Sequence, residues 1–191
     1  MLLSLHDGST VLLRRIAPED APLLRRAHRM LSEDTVRNRF LSPKPALSGR
    51  DVRYLTQIDF VDHVAVIAVD PRRPEVILGV ARWIRDRERP GSAEAAFVVT
   101  DALQGKGLGS ALAIALADLA VERGVDELTG SMLSGNRESE ALFRTIGGGE
   151  LTVARMGITN EVVAALPRQG GRLARLASRR RLAARRRGHA A

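Results

Sequence analysis

The sequence predicts an α/β fold with a mixed central sheet flanked by helices. The run VAVIAV at 64–69 is β-branched and uninterrupted, the pattern of a buried strand. Two more strand-like stretches, 76–85 and 93–99, follow with only turns between them, so three strands meander without a crossover. The third runs into a Gly-rich turn and a long helix before strand pattern resumes, which adds a helix-linked strand to the meander.

The remaining elements follow in order. A strand at 10–14 succeeds the turn signal Asp7-Gly8, and Ala17-Pro18-Glu19-Asp20 opens a helix with Leu23, Leu24, Ala27 and Leu31 on one side. Ser32 and Thr35, with Glu33 and Asp34, cap a second helix that runs toward Phe40 and is broken at Ser42-Pro43-Lys44-Pro45. A short third helix spans 48–58. After the 64–69 strand, the turn at 70–74 makes a hairpin with 76–85. A helix at 107–123 keeps Leu108, Leu112, Ala115, Leu116 and Leu119 at helical spacing, and Gly124 ends it. A strand at 127–132, an amphipathic helix at 137–146 and a closing pair of strands at 150–156 and 161–165 complete the pattern.

The chain has 191 residues, 45% of them hydrophobic, enough for one domain with one core. No apolar run reaches the roughly 18 residues of a membrane span, and the first ten residues lack the basic and apolar regions of a signal peptide, so a cytoplasmic protein is expected. Cysteine is absent, which excludes disulfides, thiolate metal sites and a covalent cysteine intermediate. Dispersed histidines give no metal-ligand spacing, and no metal is expected. The net charge of +8 is local: nine arginines and no acid lie in 167–191, and without them 21 basic residues face 22 acidic ones. Two units follow, a domain at 1–166 and an Arg-rich tail at 167–191. The tail reads either as a solubilising extension or as a basic helix able to meet nucleic acid or an acidic surface.

The most informative stretch is AEAAFVVTDALQGKGLGSALAIALADLA, a strand that enters a Gly-rich turn opening into a helix. Gly105, Gly107 and Gly109 let backbone approach a ligand closely, and the free N–H groups and positive dipole end of the helix start favour an anion such as a pyrophosphate. Lys106 adds a point charge. The spacing matches neither the P-loop nor the dinucleotide fingerprint.

Gln104-Gly105-Lys106-Gly107-Leu108-Gly109 resembles the signature Gln/Arg-x-x-Gly-x-Gly/Ala of the GNAT N-acetyltransferases. The segment from Asn136 to Gly147 resembles that family's later asparagine–helix–glycine segment, in the right order. The string AEAAFVV with QGKGLG, RFLSP, DFVDHVAVIAV and GSMLSGN is similar to the acetyltransferase domain of actinobacterial protein-lysine acetyltransferases. The resemblance implies a GNAT fold and acetyl-coenzyme A as co-substrate. Backbone at Phe97, Val98 and Val99 would meet the pantetheine arm, residues Gln104, Gly105, Lys106, Gly107, Leu108, Gly109 and Ser110 the pyrophosphate, and Asn136 the region of the departing thiol. One position departs from the pattern. Where many members carry a tyrosine that protonates the thiolate, this chain has Phe143, and its only tyrosine, Tyr54, lies in the first half.

Transfer to an amine needs a base, because a lysine of pKa about 10.4 is neutral only about once in 2,500 molecules at pH 7. Glu94, flanked by small alanines on the strand that feeds the loop, is the candidate, and the matching glutamate is the proposed base in the resembling family. It also reads as an exposed strand-face residue or an ion-pair partner. His63 is a weaker candidate base, and Trp83 reads as core or as a wall of the acceptor cleft. The expected activity is direct acetyl transfer to a primary amine, a protein lysine or a small-molecule amine. The other readings are a coenzyme A-binding regulator without turnover and a nucleic-acid-associated protein acting through its tail.

Overall fold

The computed structural model describes residues 1–167, so the predicted Arg-rich tail, apart from Pro167, lies outside the described residues. The chain forms β1 (Leu2–Ser4), β2 (Thr10–Arg15), α1 (Ala21–Arg29), α2 (Glu33–Phe40), α3 (Gly49–Thr56), β3 (His63–Asp70), β4 (Arg73–Arg85) and β5 (Ser92–Val99). There follow α4 (Leu108–Glu122), β6 (Glu127–Leu133), α5 (Arg137–Ile146), β7 (Thr152–Met156) and β8 (Thr159–Ala165). The predicted elements are present, and β1 is an addition: three residues that pair with β2 are too few to show a period. The predicted first helix begins instead as a 3-10 turn at Pro18–Asp20. There the Asp20 carboxylate accepts from the Ala17 N–H at 2.8 Å and grips the Arg14 guanidinium at 2.6 and 2.7 Å.

The eight strands lie in one sheet in the order β1-β2-β3-β4-β5-β6-β8-β7. Every neighbouring pair is antiparallel except β5 and β6, which are parallel and joined through α4. This pair is short. It holds only Ser92 with Glu127, Ala93 with Leu128 and Glu94 with Thr129, after which β5 stays with β4 as far as Val99 and β6 stays with β8 as far as Leu133. Beyond Glu94 the two strands part and expose backbone on both inner edges.

The wedge in that opening is aromatic. Phe143 of α5 is buried and packs edge-on against Phe97 of β5, with ring centroids 5.8 Å apart. Its ring fills the space a side chain would need at position 130, so Gly130 on β6 is what admits it.

Apolar packing covers both faces. On one, α4 buries Leu108, Leu112 and Leu116 with Ala113, Ala117 and Ala120 against β3, β4 and β5, together with Trp83, Phe143 and Ile146. On the other, α1 and α3 cover Ile67, Val69, Ile77 and Val80 with Leu24 and Val52. The run 64–69 is buried throughout because β3 is covered on both faces. Trp83 is fully buried and belongs to the core, not to a cleft wall. Among the described residues, no helix is long and apolar enough to cross a membrane.

Candidate active site

The turn after β5 is built to leave helix donors free. Gly105 and Gly107 take φ values of +72° and +90°, the left-handed region where glycine carries no penalty. Gly107 is also crowded: a Cβ there would lie 2.9 Å from the His6 imidazole. Gly107 is the cap of α4, and no side chain caps that helix start. The first N–H groups of a 15-residue helix therefore lack a side-chain partner and face outward at its positive end.

Neighbouring segments brace this turn. The Asp101 carboxylate accepts from Ser32 N at 3.0 Å, Ser32 Oγ at 2.6 Å and Thr35 Oγ1 at 2.7 Å, which fastens the start of α2 to the loop. Burial pushes the Asp101 carboxyl up, but those hydrogen bonds outweigh it and hold it below the usual carboxylate range. Gln104 Nε2 donates to Thr35 Oγ1 at 3.0 Å and Val99 O at 3.2 Å. On the other side the His6 N–H donates to Lys106 O at 3.1 Å, and Lys106 Nζ pairs with Asp7 at 3.2 Å.

A cavity of about 550 Å3 lies between the far end of β5, the loop, α2 and α5. Of the predicted cofactor residues, Phe97, Val98, Val99, Gln104, Gly105, Gly107, Gly109, Ser110 and Asn136 line it. Lys106 and Leu108 do not. Lys106 is turned to Asp7, and the Leu108 side chain is wholly buried in the core, which leaves its backbone N–H as the only group it can offer. Asn136 Oδ1 accepts from Ser139 N at 3.0 Å and caps α5, a structural task that the sequence reading did not assign. His6, Asp101 and Thr35 also line the cavity and were missed, since their roles come from contacts 66 to 69 residues apart or from the unpredicted β1 hairpin.

Glu94 stands on the last rung that β5 and β6 share, opposite Thr129 and Ile84. Its side chain is exposed, on the face away from buried Ala93 and Ala95, and lines an open cleft of about 270 Å3 with Arg85, Thr129, Gly130 and Glu161. Among the described residues no hydrogen bond or ion pair occupies its carboxylate. The cleft continues through Ile84, Arg85 and Asp86 into a second one of about 470 Å3, edged by Tyr54, Asp59 and Asp62.

His63 is engaged. Its Nε2 lies 2.9 Å from Arg82 Nη1, and burial together with the Arg82 charge pushes the imidazole down to about 4, so at neutral pH it is an acceptor for Arg82 and not a free base. Tyr54 is exposed beside His63 and does not line the 550 Å3 cavity. His28 Nε2 meets Lys44 O at 2.8 Å, and His189 lies outside the described residues. No group of three or more metal-ligating side chains occurs among the described residues.

A sheet parted at one parallel pair, with an uncapped helix start at the mouth of the gap, defines the N-acetyltransferase class. The family described as acetyltransferase (GNAT) domain matches residues 10–148, and the chain belongs to that family. It is similar to acetyltransferase Pat of Mycolicibacterium smegmatis, 29% identical over 142 residues that cover 74% of this chain and 42% of that one. This chain thus spans less than half of that relative's length. The crystal structure of the GNAT domain of S. lividans PAT superposes with a TM-score of 0.78 at 30% identity, covering 87% of this chain and 96% of that one. A GNAT superfamily phosphinothricin acetyltransferase from Sinorhizobium meliloti, solved in complex with acetyl-coenzyme A, shares the fold at 18% identity and a TM-score of 0.66, covering 82% and 88%.

Proposed function

We propose that this chain transfers an acetyl group from acetyl-coenzyme A directly to a primary amine, with a protein lysine as acceptor and Glu94 as the base. The observation that carries this is the unoccupied Glu94 carboxylate at the rung where β5 and β6 part. The local chemistry fits the co-substrate. Free helix donors at residues 107–110 suit a pyrophosphate, and the backbone edge 95–99, released from β6, offers hydrogen bonds to the amides of a pantetheine arm. The acceptor reading is supported by the clefts beside Glu94, where Asp62 and Asp86 are paired with Arg85 and Arg89 and the Glu94 carboxylate is left to meet a cationic side chain.

Glu94 takes a proton from the acceptor ammonium, directly or through a water, and the neutral nitrogen adds to the thioester carbonyl carbon. The carbon–nitrogen bond forms, the carbon–sulfur bond breaks with its electron pair leaving on sulfur, and the nitrogen loses its second proton to that thiolate or to water, which leaves the neutral amide. Phe143 has no proton to give. A thiol of pKa about 8.5 leaves tolerably as the thiolate, so the main demand falls on the base.

The test is release of free coenzyme A from acetyl-coenzyme A with a panel of lysine-containing proteins and small amines. Glu94→Gln should lower the rate by about a hundredfold or more with acetyl-coenzyme A affinity within about twofold. Turnover retained in the variant sinks Glu94 as the base; a small amine preferred over every protein sinks the lysine acceptor. Cofactor binding without turnover would favour the regulator that the Phe143 substitution allows.

A further inference from the structure

Two arginines face a cavity that acetyl transfer leaves unused. Arg82 of β4 is 4% exposed. It donates from both terminal nitrogens to Leu55 O at 3.3 and 3.2 Å, and Nη1 also meets His63 Nε2 at 2.9 Å. These contacts use three of the five N–H donors of a guanidinium, and among the described residues the others have no partner. Arg39, in the last turn of α2, makes no hydrogen bond among the described residues and rests over the Phe40 ring, 4.9 Å from its centroid. Neither forms an ion pair with a carboxylate there.

Both arginines line one cavity of about 50 Å3, whose other walls, including Leu24, Phe40, Val80 and Val98, are largely apolar. Val98 also lines the 550 Å3 cavity, so β5 is a common wall of the two. Ala96 and Val98 lie on the same face of β5 as Glu94, and the Glu94 charge acts on Arg39. Capping the end of α3 accounts for part of Arg82 but for nothing of Arg39. Two cations at a poorly hydrated wall repel each other, and an anion between them relieves that repulsion.

We propose that Arg39 and Arg82 form a carboxylate subsite at the acyl end of the cofactor cavity, so that the chain accepts acyl thioesters ending in a carboxylate, succinyl first among them. The inference rests on the acetyl-coenzyme A reading above. Size selects the source of the carboxylate. A water needs roughly 10–15 Å3 of such space, so the cavity holds about four non-hydrogen atoms. Succinyl exceeds acetyl by CH2–COO⁻, about that many, whereas an amino acid offered as acceptor brings more. The carboxylate only anchors: Glu94 takes the first proton from the acceptor ammonium, the neutral nitrogen bonds the thioester carbon, the thiolate leaves, and the second nitrogen proton passes to that thiolate or to water, which gives a succinyl amide and free coenzyme A.

Equilibrium binding of succinyl-, acetyl- and free coenzyme A to the full chain, to Arg39→Met and to Arg82→Lys tests this, with melting temperature checking each fold. In the natural chain succinyl-coenzyme A should bind at least as tightly as acetyl-coenzyme A. Arg39→Met should weaken succinyl-coenzyme A by about tenfold or more and acetyl-coenzyme A by less than about twofold. Arg82→Lys, which keeps the charge and loses the fork, should weaken the same ligand by a smaller factor. Succinyl-coenzyme A binding about tenfold more weakly than acetyl-coenzyme A, or an equal loss for both in Arg39→Met, overturns the subsite and leaves the acetyl-coenzyme A reading standing. An Arg39-dependent rate with amino-acid acceptors but not with carboxylate-free amines assigns the carboxylate to the acceptor and overturns the acyl assignment. If no coenzyme A species binds, the cofactor reading itself has failed, and this inference with it.

Discussion

His63 shows how one side chain's environment fixes its task. It is a strand residue whose Nε2 is spent on Arg82, and burial and that cation push its pKa from 6.5 down to about 4. A depressed histidine means that the unfolded chain binds a proton the folded chain refuses as pH falls from about 6.5 to about 4. Stability is therefore lost across that window and is full above it. Melting temperatures measured between pH 7 and pH 4 should fall for the natural chain, and His63→Gln should flatten that part of the slope; an unchanged slope would assign the pH dependence to other groups. None of this was legible in the neighbours Asp62 and Val64, because Arg82 is 19 residues away and the pairing is made by the β3–β4 register. The exposed strand position of Glu94 was legible, since small alanines beside an acid on the strand before a glycine loop form a local pattern.

At the scale of elements, the gap between β5 and β6 depends on a helix delivering one ring to one glycine. Phe143 comes from α5, Gly130 from β6 and Phe97 from β5. Gly130→Ala should overpack this point, lower stability by about 1–3 kcal/mol in denaturant unfolding and weaken acetyl-coenzyme A binding. Combining it with Phe143→Leu should recover part of the loss, because the smaller side chain vacates the space the new methyl needs. Purely additive losses would count against the wedge. The elements themselves were mostly visible in the sequence as hydrophobic periodicity and caps; Ser32 does cap α2, and Ser48, the first residue of the predicted third helix, is the cap of α3. The gap was not visible as geometry. It is an interruption of pairing, decided by what packs between two strands 35 residues apart, and neither strand's own pattern records it.

Over the whole molecule, protection against unfolding should be uneven. β3 is paired on both sides and buried through its middle, whereas every residue of β7 is exposed at the sheet edge and pairs with β8 alone. Amide exchange should be slowest in β3 and β4 and orders of magnitude faster in β7; comparable protection in β7 would mean that something covers that edge. The sequence by itself determined the element order, the glycine turn that feeds α4 and the acid before it, because these depend on periodicity, caps and residues adjacent in the chain. Only the tertiary structure decided that Asp101 anchors α2, that Lys106 turns to Asp7 and Leu108 to the core, and that Arg39 and Arg82 share a cavity. These outcomes depend on which side chains distant segments bring within a few ångströms of one another, and packing, not local pattern, sets those distances.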